Sequence, residues 1–121
     1  MNTGPVLVDV AVKDLSGAAL DWAVAQVEGK QVTPLKTGLI FGVECGHPCR
    51  YSTDWSQGGP LLHKYKACFA AYDYGYLCLL AHNDLHHGQG KGPDHLTAAC
   101  RAIVAAILGD IVKVPACLVM P

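Results

Sequence analysis

The chain has 121 residues, of which 51% are hydrophobic and 16% are charged, and its formal net charge is −1. These values fit a single domain, 1–121, with enough apolar material for one core. Lysine and arginine are scattered rather than gathered in a stripe, which argues against a nucleic-acid polymer as partner. The apolar runs are far shorter than the roughly 20 residues of a membrane-spanning helix.

The N-terminal residues Met1-Asn2-Thr3-Gly4-Pro5 lack the basic start and apolar block of a signal peptide. We therefore expect a cytoplasmic protein that does not associate with a membrane. The low charge and high apolar fraction also predict a homo-oligomer, in which a second copy covers part of the apolar surface.

The six cysteines indicate buried thiols rather than disulfides, because a reducing compartment disfavours disulfides. Four of them sit among apolar residues, where a thiol behaves as a small hydrophobe: Cys68, Cys78, Cys100 and Cys117. Two clusters leave a metal site open as the less favoured alternative, since neither matches a strong zinc spacing. They are Cys45/His47/Cys49 and His82/His86/His87. We predict neither a metal nor a cofactor.

Alternating valines predict that the chain begins with a strand. The valines fall at every second position, the period of a strand with one buried face: Val6, Val8, Val10 and Val12. Ser16 is then the expected N-cap of a helix that Gly29 ends. Its core face is Leu20, Ala23, Val24 and Val27. Asp21 and Trp22 lie to the side of this stripe, and Trp22 is either a core-edge aromatic or a ligand platform.

Tyr51 to Leu61 combines hydroxyls, a carboxylate, an indole, an amide and a Gly-Gly-Pro sequence more densely than any other stretch. Gly59-Pro60 predicts a helix start, whose free amides would point at an anion. We therefore predict a ligand site at Trp22, Ser52, Thr53, Asp54, Trp55, Gln57, Gly59 and Arg101. The simpler interpretation is a rigid loop in which Asp54 caps a turn, Trp55 fills the core and the glycines make the bend.

Cys68 to Ala81 alternates around Asp73-Tyr74-Gly75, which predicts a β-hairpin. Gly88 to Gly92 reads as a flexible glycine loop, without the Lys-Ser/Thr ending of a P-loop. Gly92-Pro93 starts the strongest helix, which ends at Gly109, and a last strand follows and stops at Pro115. The apolar stripe of that helix is Leu96, Cys100, Ile103, Val104, Ile107 and Leu108. Arg101 lies off the stripe, as a surface charge or as the guanidinium that faces a bound anion.

Three segments carry a resemblance to a known family: Leu15 to Ala25, Ser52 to Leu61, and Gly92 to Arg101 with its continuation to Pro115. In this order they resemble the NinX-like family of small phage and prophage proteins. The resemblance implies a phage or prophage origin and the bacterial host cytoplasm, and it supplies no established activity. The loops at Cys45 to Cys49 and His82 to Lys91 are richer in cysteine, histidine and glycine than expected for this family.

We expect an α+β fold, with a small, mostly antiparallel sheet and two or three helices packed on one side. The favoured function is a non-enzymatic accessory protein that sequesters a small ligand, in one version a phosphorylated, nucleotide-type signal of host defence. Such a pocket needs only stacking rings, hydrogen-bonding groups and amides aimed at phosphate. A protein-interaction module that inhibits a host factor is the first alternative. A small hydrolase is the second, although the sequence contains no recognisable nucleophile-and-base motif.

Overall fold

The computed structural model describes residues 6–34, 40–42, 46, 48–81 and 88–119, and within them lie three α-helices, two short 3-10 helices and eight strands. The helices are α1 (Gly17–Val27), α2 (Trp55–Lys64) and α3 (His95–Leu108). The strands are β1 (Leu7–Ala11), β2 (Val32–Pro34), β3 (Ile40–Gly42), β4 (Pro48–Cys49), β5 (Ala67–Tyr72), β6 (Gly75–Leu80), β7 (Gln89–Gly92) and β8 (Ile111–Pro115). Within these residues, none of the helices has the length and apolar character that crossing a bilayer requires.

The strands form three small antiparallel sheets, which confirms the predicted α+β class. One is the ribbon β1-β8, the second is β2-β3-β4, and the third is β5-β6-β7. Helix α3 covers one face of the third sheet, and α1 packs on α3. The hairpin prediction is also confirmed, because Tyr72 pairs with Gly75 around the two-residue loop Asp73-Tyr74.

The first strand and helix form where the sequence predicts them. Ser16 occupies the N-cap of α1, although its side chain makes no capping hydrogen bond. Leu15 and Leu20 flank this start and are fully buried, and each such leucine contributes about 1.5–3 kcal/mol relative to exposure. Gly29 follows the helix with a φ of 69°, the left-handed conformation that ends many helices.

The predicted core stripe of α3 is correct for its first three turns. Leu96, Cys100, Ile103 and Val104 are buried, and most of the surrounding core is aliphatic. The prediction is wrong for Ile107 and Leu108, which are 40% and 41% exposed. Gly109 then ends the helix with a φ of 96°.

Helix α2 begins earlier than the sequence predicts. Its N-cap is Asp54 and its first residue is Trp55, so Pro60 lies inside the helix instead of at its start. The predicted cluster of free amides at Gly59-Pro60 is therefore wrong. An N-cap carboxylate that accepts from the first turn defines the start more strongly than the proline does.

The segment Gly88 to Gly92 was expected to be a flexible loop, but Gln89–Gly92 is the third strand of a sheet. Its glycines alternate, and Gly88, Gly90 and Gly92 all face α3. A Cβ at Gly90 would lie 2.4 Å from the backbone of both Ala98 and Ala102. The glycines are therefore present because α3 approaches the strand backbone directly.

Gly90→Ala is expected to lower the free energy of unfolding by about 3 kcal/mol, because the added methyl group meets helix backbone that cannot move aside. Lys91→Ala is the matched control, since the Lys91 side chain is exposed, and its effect should stay within about 0.5 kcal/mol. Urea denaturation of the two variants measures the difference. Equal stability of both would contradict the close helix–strand packing.

Candidate functional site

Asp54 organises the beginning of the predicted binding segment. Its Oδ1 accepts hydrogen bonds from the Ser56 backbone N–H at 2.8 Å and from the Ser56 hydroxyl at 2.7 Å. These bonds hold the pKa of Asp54 below its ordinary value, because they stabilise the carboxylate. The carboxylate therefore accepts the hydrogen bonds at the start of α2, where a bound anion was expected.

Gln57 ties α2 to the strand before it. Its Oε1 accepts from the Arg50 backbone N–H at 2.9 Å, and its Nε2 donates to the Pro48 carbonyl at 3.1 Å. Both ends of the amide are therefore used inside the protein. The side chain fixes β4 against the first turn of α2.

Ser52 is anchored from below by a carboxylate that the sequence analysis placed at the side of α1. Asp21 is buried at this position, only 4% exposed, and its Oδ1 accepts from the Ser52 backbone N–H at 2.8 Å. Burial raises the pKa of Asp21, while its contacts with Ser52 and the charge of Arg50 partly oppose the shift. The Ser52 hydroxyl is buried near this carboxylate and forms no well-aligned hydrogen bond with any residue that the structure describes.

Trp55 is 57% exposed, so the interpretation in which it fills the core is wrong. Its ring lies 6.3 Å from the imidazole of His95, which stacks on Tyr76 at 3.9 Å and meets Phe69 edge-on at 4.9 Å. This aromatic cluster joins α2, α3 and the third sheet. No sequence motif indicates this cluster, because its members are distant in the chain.

Three other predicted site residues differ in their exposure. Trp22 is partly buried and packs against the main core and against a small second cluster of Ala25, Ile40 and Cys49. Thr53 is exposed, and Gly59 lies in α2, where a Cβ would rest 3.6 Å from the Trp55 ring. The predicted binding segment is therefore exposed at Trp55, whereas Ser52 and Gln57 form hydrogen bonds within the protein.

A groove of about 770 Å³ lies on another part of the molecule. One wall is the end of the β1-β8 ribbon with the residues after β1, the floor includes α3, and the other wall is β7 with the β5–β6 hairpin. The lining includes the cations Lys13, Lys91 and Arg101, the single carboxylate Asp110, and the phenols Tyr72 and Tyr74. None of the lining residues comes from Ser52 to Gly59.

Arg101 is the only one of the eight predicted ligand residues that lines this groove. Its Nε donates to the Leu15 carbonyl at 2.9 Å and its Nη1 donates to the Lys91 carbonyl at 2.7 Å. A guanidinium has five N–H donors, so these two bonds fix the group while others stay available. The structure thus separates Arg101 from the segment with which the sequence analysis grouped it.

The cysteines are partly as predicted. Cys78 and Cys100 are buried, and burial raises the pKa of the Cys78 thiol to about 11, but Cys68 and Cys117 are exposed, so the prediction is wrong for those two. Among the described cysteines, Cys68, Cys78, Cys100 and Cys117 form no disulfide. Among the described residues no group of three or more His, Cys, Asp or Glu side chains could hold a metal ion. Cys45, His47, His82, His86 and His87 lie outside the described residues.

Adjacent glycines of α2 should respond in opposite directions to the same substitution. At Gly58 a Cβ would lie 2.1 Å from the Tyr51 carbonyl oxygen, whereas at Gly59 the nearest atom is 3.6 Å away. Gly58→Ala should cost about 2 kcal/mol or more, and Gly59→Ala should stabilise by about 0.5–1 kcal/mol because alanine favours the helix. Thermal or urea unfolding decides this, and a stable Gly58→Ala protein would refute the contact with Tyr51.

Asp21 should make stability depend on pH. Its folded-state pKa lies above the ordinary value of 3.8, so the free energy of unfolding falls as the pH rises from about 4 through the folded-state pKa. Asp21→Asn keeps an oxygen for the Ser52 N–H and should remove this decline. Asp21→Ala leaves that N–H without an acceptor and should cost about 1–3 kcal/mol. Urea unfolding over a pH series measures both, and an unchanged slope in Asp21→Asn would contradict the assignment.

A search of curated proteins found no significant match to this chain. The family model described as Bacteriophage P22, NinX matches residues 11–106 of the 121. The match includes α1, α2, the third sheet and most of α3, and therefore the predicted segment together with Arg101. It confirms the resemblance found in the sequence, and the chain belongs to the phage NinX family.

Proposed function

We propose that this phage protein binds and sequesters a small anionic ligand of the nucleotide type in the groove lined by Lys13, Lys91 and Arg101, without transforming it. The observation that carries the proposal is the convergence of three cations and two exposed phenols on one groove whose lining has a single carboxylate. The cations can bind a phosphate, and the phenol rings can stack on a planar base.

Arg101 supplies a cation that is already positioned. Its hydrogen bonds to Leu15 and Lys91 hold the guanidinium at the groove before any ligand arrives. A fixed group loses little conformational entropy on binding, so more of its interaction energy appears as affinity. Lys13 and Lys91 are exposed and add positive potential that attracts an anion.

The hairpin supplies the aromatic surface. Tyr74 is 88% exposed in the loop between β5 and β6, and Tyr72 is 42% exposed at the end of β5. The Lys91 ammonium lies 5.9 Å from the centre of the Tyr72 ring, so charge and ring meet on the same wall. Stacking on such a ring contributes about 1–3 kcal/mol per base.

In the host cytoplasm, a trap of this kind acts by lowering the free concentration of its ligand. A phage protein that held a nucleotide signal of host defence would need no catalysis, only sufficient affinity and abundance. This connection to defence is an analogy drawn from the phage family, and the groove itself supports only the chemical class of the ligand. Self-association through exposed apolar surface stays a separate prediction.

Isothermal titration calorimetry with nucleoside monophosphates, cyclic nucleotides and ADP-ribose tests the proposal. Lys13→Ala should weaken the binding of a responding ligand about fivefold, as expected for one exposed charge contact of about 1 kcal/mol. Tyr74→Ala should weaken it about tenfold through lost stacking. Raising the salt concentration should also weaken binding, because salt screens exposed charges.

Two control variants separate the groove from other surfaces. Lys113 is another exposed lysine, which pairs with Asp9 on the ribbon at 2.9 Å, so Lys113→Ala should bind like the parent. Trp55→Ala removes an exposed aromatic of the segment that the sequence analysis favoured. A loss with Trp55→Ala and none with Tyr74→Ala would move the site to that segment, and no binding by any nucleotide would refute the proposal.

A further inference from the structure

β7 is an edge strand of the described sheet, and all four of its residues line the groove. It pairs with β6 on one side and with no other described strand. The Leu80 N–H donates to the Gly88 carbonyl at 3.1 Å. This bond shows which backbone N–H and C=O groups of the segment point towards β6. In an antiparallel ladder this orientation alternates, so the backbone N–H and C=O groups of Gly88, Gly90 and Gly92 point towards β6, and those of Gln89 and Lys91 point away from it.

Arg101 bears out this orientation and uses one of the outward groups. Its Nη1 donates to the Lys91 carbonyl at 2.7 Å, which is possible only if that carbonyl faces away from β6. The remaining outward groups include the Gln89 carbonyl, an acceptor, and the Lys91 N–H, a donor. Neither has a hydrogen-bond partner among the described residues, and both residues line the groove.

We propose that this pair of backbone groups recognises the base of the bound nucleotide and selects an amino-substituted base, adenine or cytosine. The acceptor of one residue and the donor two residues later lie side by side along a strand edge. The Watson–Crick edge of adenine presents an exocyclic N–H donor beside the ring acceptor N1, and cytosine presents the same pair. Hypoxanthine, guanine and uracil present a carbonyl beside a ring N–H, which is the reverse order.

This inference rests on the proposed function, since it assigns the base to the β7 edge and the phosphate to the cations of the groove. A base with the reverse order would place its carbonyl against the Gln89 carbonyl and its ring N–H against the Lys91 N–H. Each of these mismatched groups loses its hydrogen bond to water without regaining one. Backbone groups of a sheet are held in place by the ladder, so they discriminate without rearranging.

The decisive comparison is AMP against IMP, which differ at this edge and keep the same ribose and phosphate. We expect AMP to bind at least tenfold more tightly than IMP in calorimetry, and CMP more tightly than UMP. 7-Deaza-AMP retains the relevant edge and should bind like AMP, whereas N6,N6-dimethyl-AMP lacks the donor and should bind like IMP.

A pair of variants at one position tests the amide itself. Lys91→Pro removes the outward N–H without removing a ladder bond, as edge strands tolerate, whereas Lys91→Ala keeps it. Lys91→Ala should weaken AMP and IMP by the same factor, and Lys91→Pro should in addition bring their affinities together. Circular dichroism checks that both variants fold, and the ligand series in the parent protein decides the question if Lys91→Pro does not.

The outcomes distinguish the two proposals. Absence of binding by every nucleotide refutes the proposed function. Equal affinity for AMP and IMP, with both weakened by Lys13→Ala, leaves the proposed function standing and overturns recognition by the β7 edge. Preference for AMP that survives Lys91→Pro in a folded protein also overturns it.

Discussion

The direct packing of α3 on the backbone of β7 is the contact on which the arrangement of the other elements depends. Gly88, Gly90 and Gly92 present hydrogen atoms instead of side chains to the helix, so strand and helix backbones lie closer than a layer of ordinary side chains would allow. The buried stripe of α3 then reaches β6 as well, where Cys78 and Leu80 belong to the same core. The helix also carries α1 on another side, so one close contact positions both.

This packing also creates the groove. Because α3 lies so near the end of the sheet, the Arg101 side chain spans from the helix to the outer edge of β7 and, on the other side, to the Leu15 carbonyl after the β1 strand. A bare strand edge favours pairing with another chain, and the guanidinium covers part of this one. The same residue therefore links the segment before α1 to the sheet, shields the edge and presents a cation to the cavity.

Periodicity and turn signals predicted those elements in which the pattern of apolar and polar side chains matches the buried and exposed faces. The alternating valines before Lys13, the hairpin around Asp73 and the stripe of α3 formed as expected. Two of the failures, at β7 and at Asp21, share a cause, which is that the decisive neighbour has no side chain or lies far away in the chain. Glycines give no hydrophobic period, so β7 read as a loop. Asp21 lies beside the apolar stripe of α1, and only Ser52, 31 residues away in the chain, reveals that it is buried.

Density of polar residues in the sequence is therefore a weaker guide to a binding site than the number of polar groups left uncommitted after folding. The segment from Ser52 to Gln57 is rich in such groups, yet Asp54 and Gln57 use their polar atoms to build the start of α2. The groove has fewer polar side chains, but more of their hydrogen-bonding groups remain available to a ligand. Among the described residues, Arg101 commits two of its five N–H donors, both to backbone carbonyls that also determine where the other three lie. A side chain that is partly used by the fold is thereby positioned for a ligand, which is why Arg101 connects the stability of this protein to its proposed function.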